Sequence, residues 1–142
     1  MDNKAVIRHL LEEGMNRRNF AVIAEVYPNC VYHSPAIGEL YGEAFRQYLA
    51  SILNAFPDIR MTILDQIAEG DMVMTRWSMA ATHKAKFMGI PASGRRIRIT
   101  GMCMDRIVDG KIVEEWEEWD ALGMMRQLGL VPEVKVEEFV AA

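Results

Sequence analysis

Apolar side chains recur at helical spacing near the start of the chain. Val6, Ile7, Leu10, Leu11 and Met15 predict an amphipathic helix over residues 4–16. Asn19 is placed to cap a short second helix that turns Phe20, Ile23 and Tyr27 inward, and Pro28-Asn29 ends it. Cys30-Val31-Tyr32-His33 reads as a brief strand stopped by Ser34-Pro35. A third helix from Glu43 to Phe56 gathers Phe45, Leu49, Ile52, Leu53 and Phe56 on one side, and Pro57-Asp58 breaks it.

Beyond Asp58 the period changes to two. Ile59, Met61, Ile63, Asp65 and Ile67 alternate with Arg60, Thr62, Leu64 and Gln66, as in a strand with one buried face. Glu69-Gly70-Asp71 is a turn, and residues 72–83 form the next strand. Gly89, Pro91 and Gly94 make residues 84–94 a loop. Residues 95–107 and 112–120 are strands joined across Asp109-Gly110, a strong hairpin signal. A short helix follows from Ala121 to Leu128, and the segment after Pro132 reads as a loosely attached tail. The expectation is one α+β domain over residues 1–131 with a tail at 132–142. Its antiparallel sheet is curved, wraps the N-terminal helices and encloses a cone-shaped pocket.

Composition narrows the functional classes. The chain has 142 residues, 51% of them hydrophobic, and a formal charge of −4. An acidic balance argues against nucleic acid as a partner. The local cluster Arg95, Arg96 and Arg98 alternates with Ile97 and Ile99, as the solvent face of a strand does. Cys30 and Cys103 sit in apolar stretches and read as buried free thiols of a reducing compartment. No signal peptide or membrane span is apparent, so a cytoplasmic protein is expected. The three histidines and two cysteines lack metal-ligand spacing, and no glycine-rich phosphate loop occurs, so neither metal nor nucleotide cofactor is expected. Several of the eleven methionines suit the adaptable lining of an apolar pocket.

A set of short motifs carries a resemblance. Asn16-Arg17-Arg18-Asn19-Phe20, Val31-Tyr32-His33-Ser34-Pro35, Arg76-Trp77, Thr82-His83 and Phe87-Met88-Gly89-Ile90-Pro91 with Gly94 come in order. Asp105-Arg106-Ile107, Asp109-Gly110-Lys111-Ile112-Val113-Glu114, Trp116, Trp119-Asp120 and Leu122-Gly123 follow. Over about residues 4–130 the chain resembles the SnoaL-like polyketide cyclases of the nuclear transport factor 2-like superfamily. The resemblance implies intramolecular aldol chemistry without metal or cofactor, with an acidic residue at the end of the last strand as general acid–base. That residue here is Asp120, which can equally cap the helix beginning at Ala121. His33 is the expected assistant, orienting a carbonyl or relaying a proton.

Simple alternation in the last strand puts Glu114, Trp116, Glu118 and Asp120 on one side and Glu115, Glu117 and Trp119 on the other. The side holding Asp120 is expected to face the pocket. Trp77, His83, Phe87, Met102, Met104 and Trp116 are then its walls, and Glu118 a second carboxylate. Gly101-Met102-Cys103-Met104 offers sulfur and methyl groups where the family's cyclases carry polar side chains, which implies a less oxygenated ligand. The expected function is cofactor-free acid–base chemistry on a small hydrophobic carbonyl compound by cyclisation, isomerisation or dehydration. The alternative is a non-catalytic binding domain of the same fold. A homodimer or higher homo-oligomer is expected through the outer sheet face, with Val113 and Trp119 on it.

Overall fold

Asp2 starts the first helix by accepting the Ala5 N–H at 2.7 Å in a computed structural model that describes residues 1–140. Helix α1 (Asn3–His9) runs on as a π-helical stretch, Leu10–Asn16, and the two together bury Val6, Ile7, Leu10, Leu11 and Met15. In α2 (Phe20–Val26) the Asn19 side chain accepts the N–H groups of Ala21 and Val22. Phe20, expected inside, is exposed, because the buried stripe of this short helix is Val22, Ile23 and Val26. Strand β1 (Val31–Ser34) is followed by β2 (Gly38–Tyr41), which the sequence pattern did not reveal. Helix α3 (Glu43–Ala55) buries Phe45, Leu49 and Leu53.

Four long strands complete the sheet: β3 (Arg60–Glu69), β4 (Met72–Thr82), β5 (Arg96–Val108) and β6 (Lys111–Trp119). They form an antiparallel meander within a six-stranded order β2-β1-β6-β5-β4-β3. The β1–β6 pairing is parallel and brings Val31–His33 beside Glu114–Trp116. The sheet is curved and unclosed, with the N-terminal helices against one face. Helix α4 (Ala121–Gln127) closes one end, and Gln127 holds the backbone of Arg98 through both its amide oxygen and nitrogen. The β5–β6 hairpin turns through Asp109 at φ 50° and Gly110 at φ 74°, the paired positive angles that a two-residue turn of this type needs.

Two bulges decide which side chains face inward. On β6, Ile112 pairs with Ile107 while Glu114 pairs with Arg106, so Val113 is an extra residue. On β3, Ile63 pairs with Trp77 and Asp65 with Arg76, leaving Leu64 unpaired in the same way. A one-residue slip exchanges the two faces of a strand. Beyond Leu64, Gln66 turns inward to bond the Lys4 carbonyl, and Ile67 is 70% exposed.

The outer face consequently carries a cross-strand row. Ile67, Met74, Met104, Trp116 and His33 are successive partners across β3, β4, β5, β6 and β1. Among the described residues no helix is long and apolar enough to cross a membrane. Cys30 and Cys103 are free and buried.

Candidate functional site

Between the helices and the sheet lies an apolar cavity of about 80 Å³. The helical side contributes Leu10, Leu11, Met15, Tyr27, Tyr48, Leu49, Ile52 and Phe56. The sheet side contributes Met61, Trp77, Met79, Ile99, Glu115, Glu117 and Trp119, with Phe87 from the 84–94 loop and Met124 from α4. Trp77 lies directly over Gly101 of the neighbouring strand, leaving no room there for a Cβ.

The bulge at Val113 corrects the expected orientation of β6. Glu115, Glu117 and Trp119 face the cavity, whereas Glu118 is exposed and Trp116 stacks on His33 at 5.4 Å, away from the cavity lining. Asp120 is exposed and caps α4, its Oδ1 accepting the Gly123 N–H at 2.8 Å. On β5 the buried set is Ile97, Ile99, Gly101, Cys103, Asp105 and Ile107, so Met102 and Met104 point outward. His33 lies between Glu39 (3.1 Å from Nδ1) and Glu114 (2.7 Å from Nε2). His83 is buried against Phe56, and its Nδ1 meets the Ser93 hydroxyl at 2.9 Å, tying down the 84–94 loop. Of the expected pocket residues, Trp77 and Phe87 line the cavity, whereas His83, Met102, Met104, Trp116 and Glu118 do not, and neither do the expected catalytic pair Asp120 and His33.

The polar end of the cavity is built from residues that simple alternation assigned to the wrong side or left unnoticed. The Tyr32 hydroxyl donates to Glu117 at 2.8 Å, and the Tyr27 hydroxyl donates to Glu115 at 2.6 Å. Tyr32 is held by stacking on Phe45 at 4.3 Å, and Tyr27 meets the same ring edge-on at 4.8 Å. Asp105 is directly opposite Glu115 in the β5–β6 register and accepts the Cys103 thiol at 3.3 Å. One signal for Asp105 was available in the sequence: it shares the parity of Ile97, Ile99 and Ile107 on a strand whose other face bears arginines.

Burial pushes the Glu117 carboxyl up to about 8, and the neighbouring Glu115 adds to the rise. The Tyr32 hydroxyl opposes it, as does the Trp77 indole N–H, which lies toward the same carboxyl without a formed hydrogen bond. Glu115 is raised well above the ordinary glutamate range, first by burial and then by Asp105. Asp105 is raised to about 6 by burial, with the facing Glu115 carboxyl and the Cys103 thiol opposing the rise and the charge of Glu117 adding to it. Burial also raises the Tyr27 hydroxyl and both thiols. Cys103, Asp105 and Glu115 bring their donor atoms within 4.8 Å of one another. The Cys103 thiol donates to Asp105 and the Tyr27 hydroxyl donates to Glu115, so each carboxyl of this group has one hydrogen-bond donor.

An open sheet, a helical cover and an apolar cavity with inward acids on its last strand match one family in sequence as well. The SnoaL-like polyketide cyclase profile matches residues 5–128. The chain belongs to the SnoaL-like polyketide cyclase family. Among curated members, aklanonic acid methyl ester cyclase DnrD from Streptomyces peucetius is 33% identical over 104 residues, covering 72% of this chain and 70% of DnrD. Among solved structures, AclR from Streptomyces galilaeus, a candidate hydroxylase, superposes with a TM-score of 0.83 at 30% identity, covering 97% of this chain and 93% of AclR. IdmH from Streptomyces antibioticus, a candidate polyketide cyclase, gives 0.79 at 30% identity, covering 91% and 99%. A shared fold does not by itself fix the chemistry, which rests on the side chains of the site.

Proposed function

We propose that this SnoaL-like chain is a cofactor-free acid–base enzyme acting on a small hydrophobic carbonyl compound, with Glu117 exchanging the proton at carbon. The observation that carries the reading is a single one: Glu117 reaches a largely apolar cavity and is raised to about 8. Acid–base catalysis is most effective when the group titrates near the working pH. Ionised Glu117 takes a proton from the carbon beside the carbonyl; the protonated form then returns it to a newly formed alkoxide. Ring closure, as in the curated cyclase relatives, uses both steps, and isomerisation uses the first followed by return at another carbon.

The ligand class follows from the lining. Leucine, methionine and aromatic walls favour a ring system or compact apolar body, and buried hydroxyls without partners would cost roughly 1–3 kcal/mol each. Oxygen atoms can find partners in Tyr27, Tyr48, Glu115 and Glu117, and in the indole N–H groups of Trp77 and Trp119, which are buried without a partner. An outward Met102 and Met104 remove the earlier ground for disfavouring oxygenated ligands, so a polyketide with its carbonyls at those groups fits the reading.

The test is exchange of α-hydrogens of 2-tetralone with deuterated water, followed by proton NMR. The expected result is protein-catalysed exchange that rises with pH toward about pH 8 as Glu117 ionises. Glu117→Gln should lower it at least about 100-fold, the usual contribution of a positioned acid or base, while thermal-shift stabilisation by 2-tetralone persists. Ligand stabilisation without exchange, unchanged in Glu117→Gln, would instead assign the chain to binding alone.

A further inference from the structure

The Asp105–Glu115 pair lies outside the chemistry assigned to Glu117, yet burying two carboxyl groups opposite one another demands a reason. Asp105 is 1% and Glu115 4% exposed. No lysine, arginine or histidine hydrogen-bonds or ion-pairs with either among the described residues. The groups that face them are the Tyr27 hydroxyl at the end of α2, the Cys30 thiol before β1, the Cys103 thiol on β5 and the Glu117 carboxyl on β6. All are neutral or acidic. Asp105 Oδ1 is buried without an N–H, S–H or hydroxyl donor. A buried oxygen left in that state is costly. The facing group that can supply a hydrogen is the carboxyl of Glu115, and only in its protonated form.

From this geometry we infer that Glu115 and Asp105 share one proton, and that Glu115 is a second acid–base residue of the cavity, giving that proton to the substrate oxygen. Glu115 and Tyr27 line the cavity, while Asp105 stands behind Glu115 and is a positioning residue. The inference rests on the reading of Glu117 as the group acting at carbon. Glu115 and Glu117 project from the same face of β6, so they reach the two ends of a C–C=O unit. Ionised Glu117 takes the α-proton; the C–H pair becomes the new C=C bond; the carbonyl π pair moves to oxygen; and oxygen takes the proton from Glu115. When the enol carbon attacks a second carbonyl, the enol oxygen returns its proton to Glu115 and the new alkoxide takes the proton held on Glu117. Both carboxyls end as they began.

The experiment begins without substrate. Side-chain carboxyl carbon shifts of ligand-free protein, followed by NMR across pH, should show the Asp105 and Glu115 signals moving together, with one proton retained by the pair above pH 6. In Asp105→Asn the amide can donate to Glu115, which should then ionise at least one pH unit lower. In the 2-tetralone exchange assay the wild type should show an alkaline fall as the pair loses its proton. Asp105→Asn should move that fall to lower pH. Glu115→Gln, whose amide keeps a hydrogen bond to Asp105 but transfers no proton, should slow exchange at least tenfold with an unchanged amide NMR spectrum elsewhere. Glu117→Gln should abolish exchange while leaving the paired titration intact, which separates failure of the Glu117 reading from failure of this one. Independent ionisation of both carboxyls below pH 5 would overturn the inference. So would stoichiometric zinc binding that displaces the proton and is lost in Cys103→Ala.

Discussion

Glu117 and Asp120 are near neighbours in sequence, and the structure puts one in the cavity lining and the other at the surface. Asp120 meets solvent and satisfies one of the free N–H groups at the start of α4, where Gly123 is pressed so closely that no Cβ fits. Asp120→Ala is expected to cost about 1 kcal/mol, the usual value of a lost N-cap, read as a lower urea midpoint, and to leave 2-tetralone exchange within twofold. Loss of exchange at undiminished stability would return the acid–base role to Asp120. At this scale the sequence was a partial guide. Trp77 and Phe87 were identified as cavity walls because aromatic residues in a strand and a short loop have few other places to go. The carboxyls were misassigned because each reads alike on either face; only the register of its strand tells which one is inside.

Element boundaries were legible where local pattern sets them. The helical spacing of Val6 to Met15, the cap at Asn19 and the Asp109-Gly110 turn all act within a few residues of themselves. The β1–β6 pairing joins segments far apart in sequence, and β2 has only Leu40 partly buried against the core. Neither leaves a periodic trace. The bulges at Leu64 and Val113 leave none either, since no glycine or proline marks them. Between β4 and β5, the contact of Trp77 with Gly101 carries its own expectation. Gly101→Ala forces the indole off its partner strand and into the cavity, destabilising by about 1–3 kcal/mol as overpacking does. Chemical denaturation should show the loss, and 2-tetralone stabilisation in a thermal-shift measurement should fall with it. An unchanged ligand response would mean that Trp77 moves elsewhere.

For the molecule as a whole, its buried acids give folding an unusual pH dependence. Glu117 and Glu115 are raised above an unfolded value of about 4.3, and Asp105 above about 3.9. The folded chain therefore holds more protons than the unfolded chain over that interval. Their stabilising contribution is complete below about pH 4 and is lost as pH rises through about 6 for Asp105 and about 8 for Glu117. Urea midpoints should fall from pH 5 to pH 8.5, and Glu117→Gln should flatten the upper part of the fall. Asp58, lowered by its bonds from Thr82, acts in the opposite sense but only at more acid pH. A midpoint that climbs over this range would contradict the burial of the acids. The cavity itself, at about 80 Å³, is smaller than the roughly 150 Å³ that admits benzene in an apolar core. A ring-bearing ligand must therefore displace side chains, and Met15, Met61, Met79 and Met124 are the unbranched, adaptable ones among the lining.

The surplus residue in β6 also bears on how this chain is compared with its kin. Val113 occupies no place in the ladder, so a gene lacking that one codon would still pair the flanking residues and keep the same side chains inward. Its inner acid would then stand one position nearer the Asp109-Gly110 turn. An alignment counted from that turn without a gap would set Glu117 against an outward residue of such a relative, and would make two equivalent sites look unrelated.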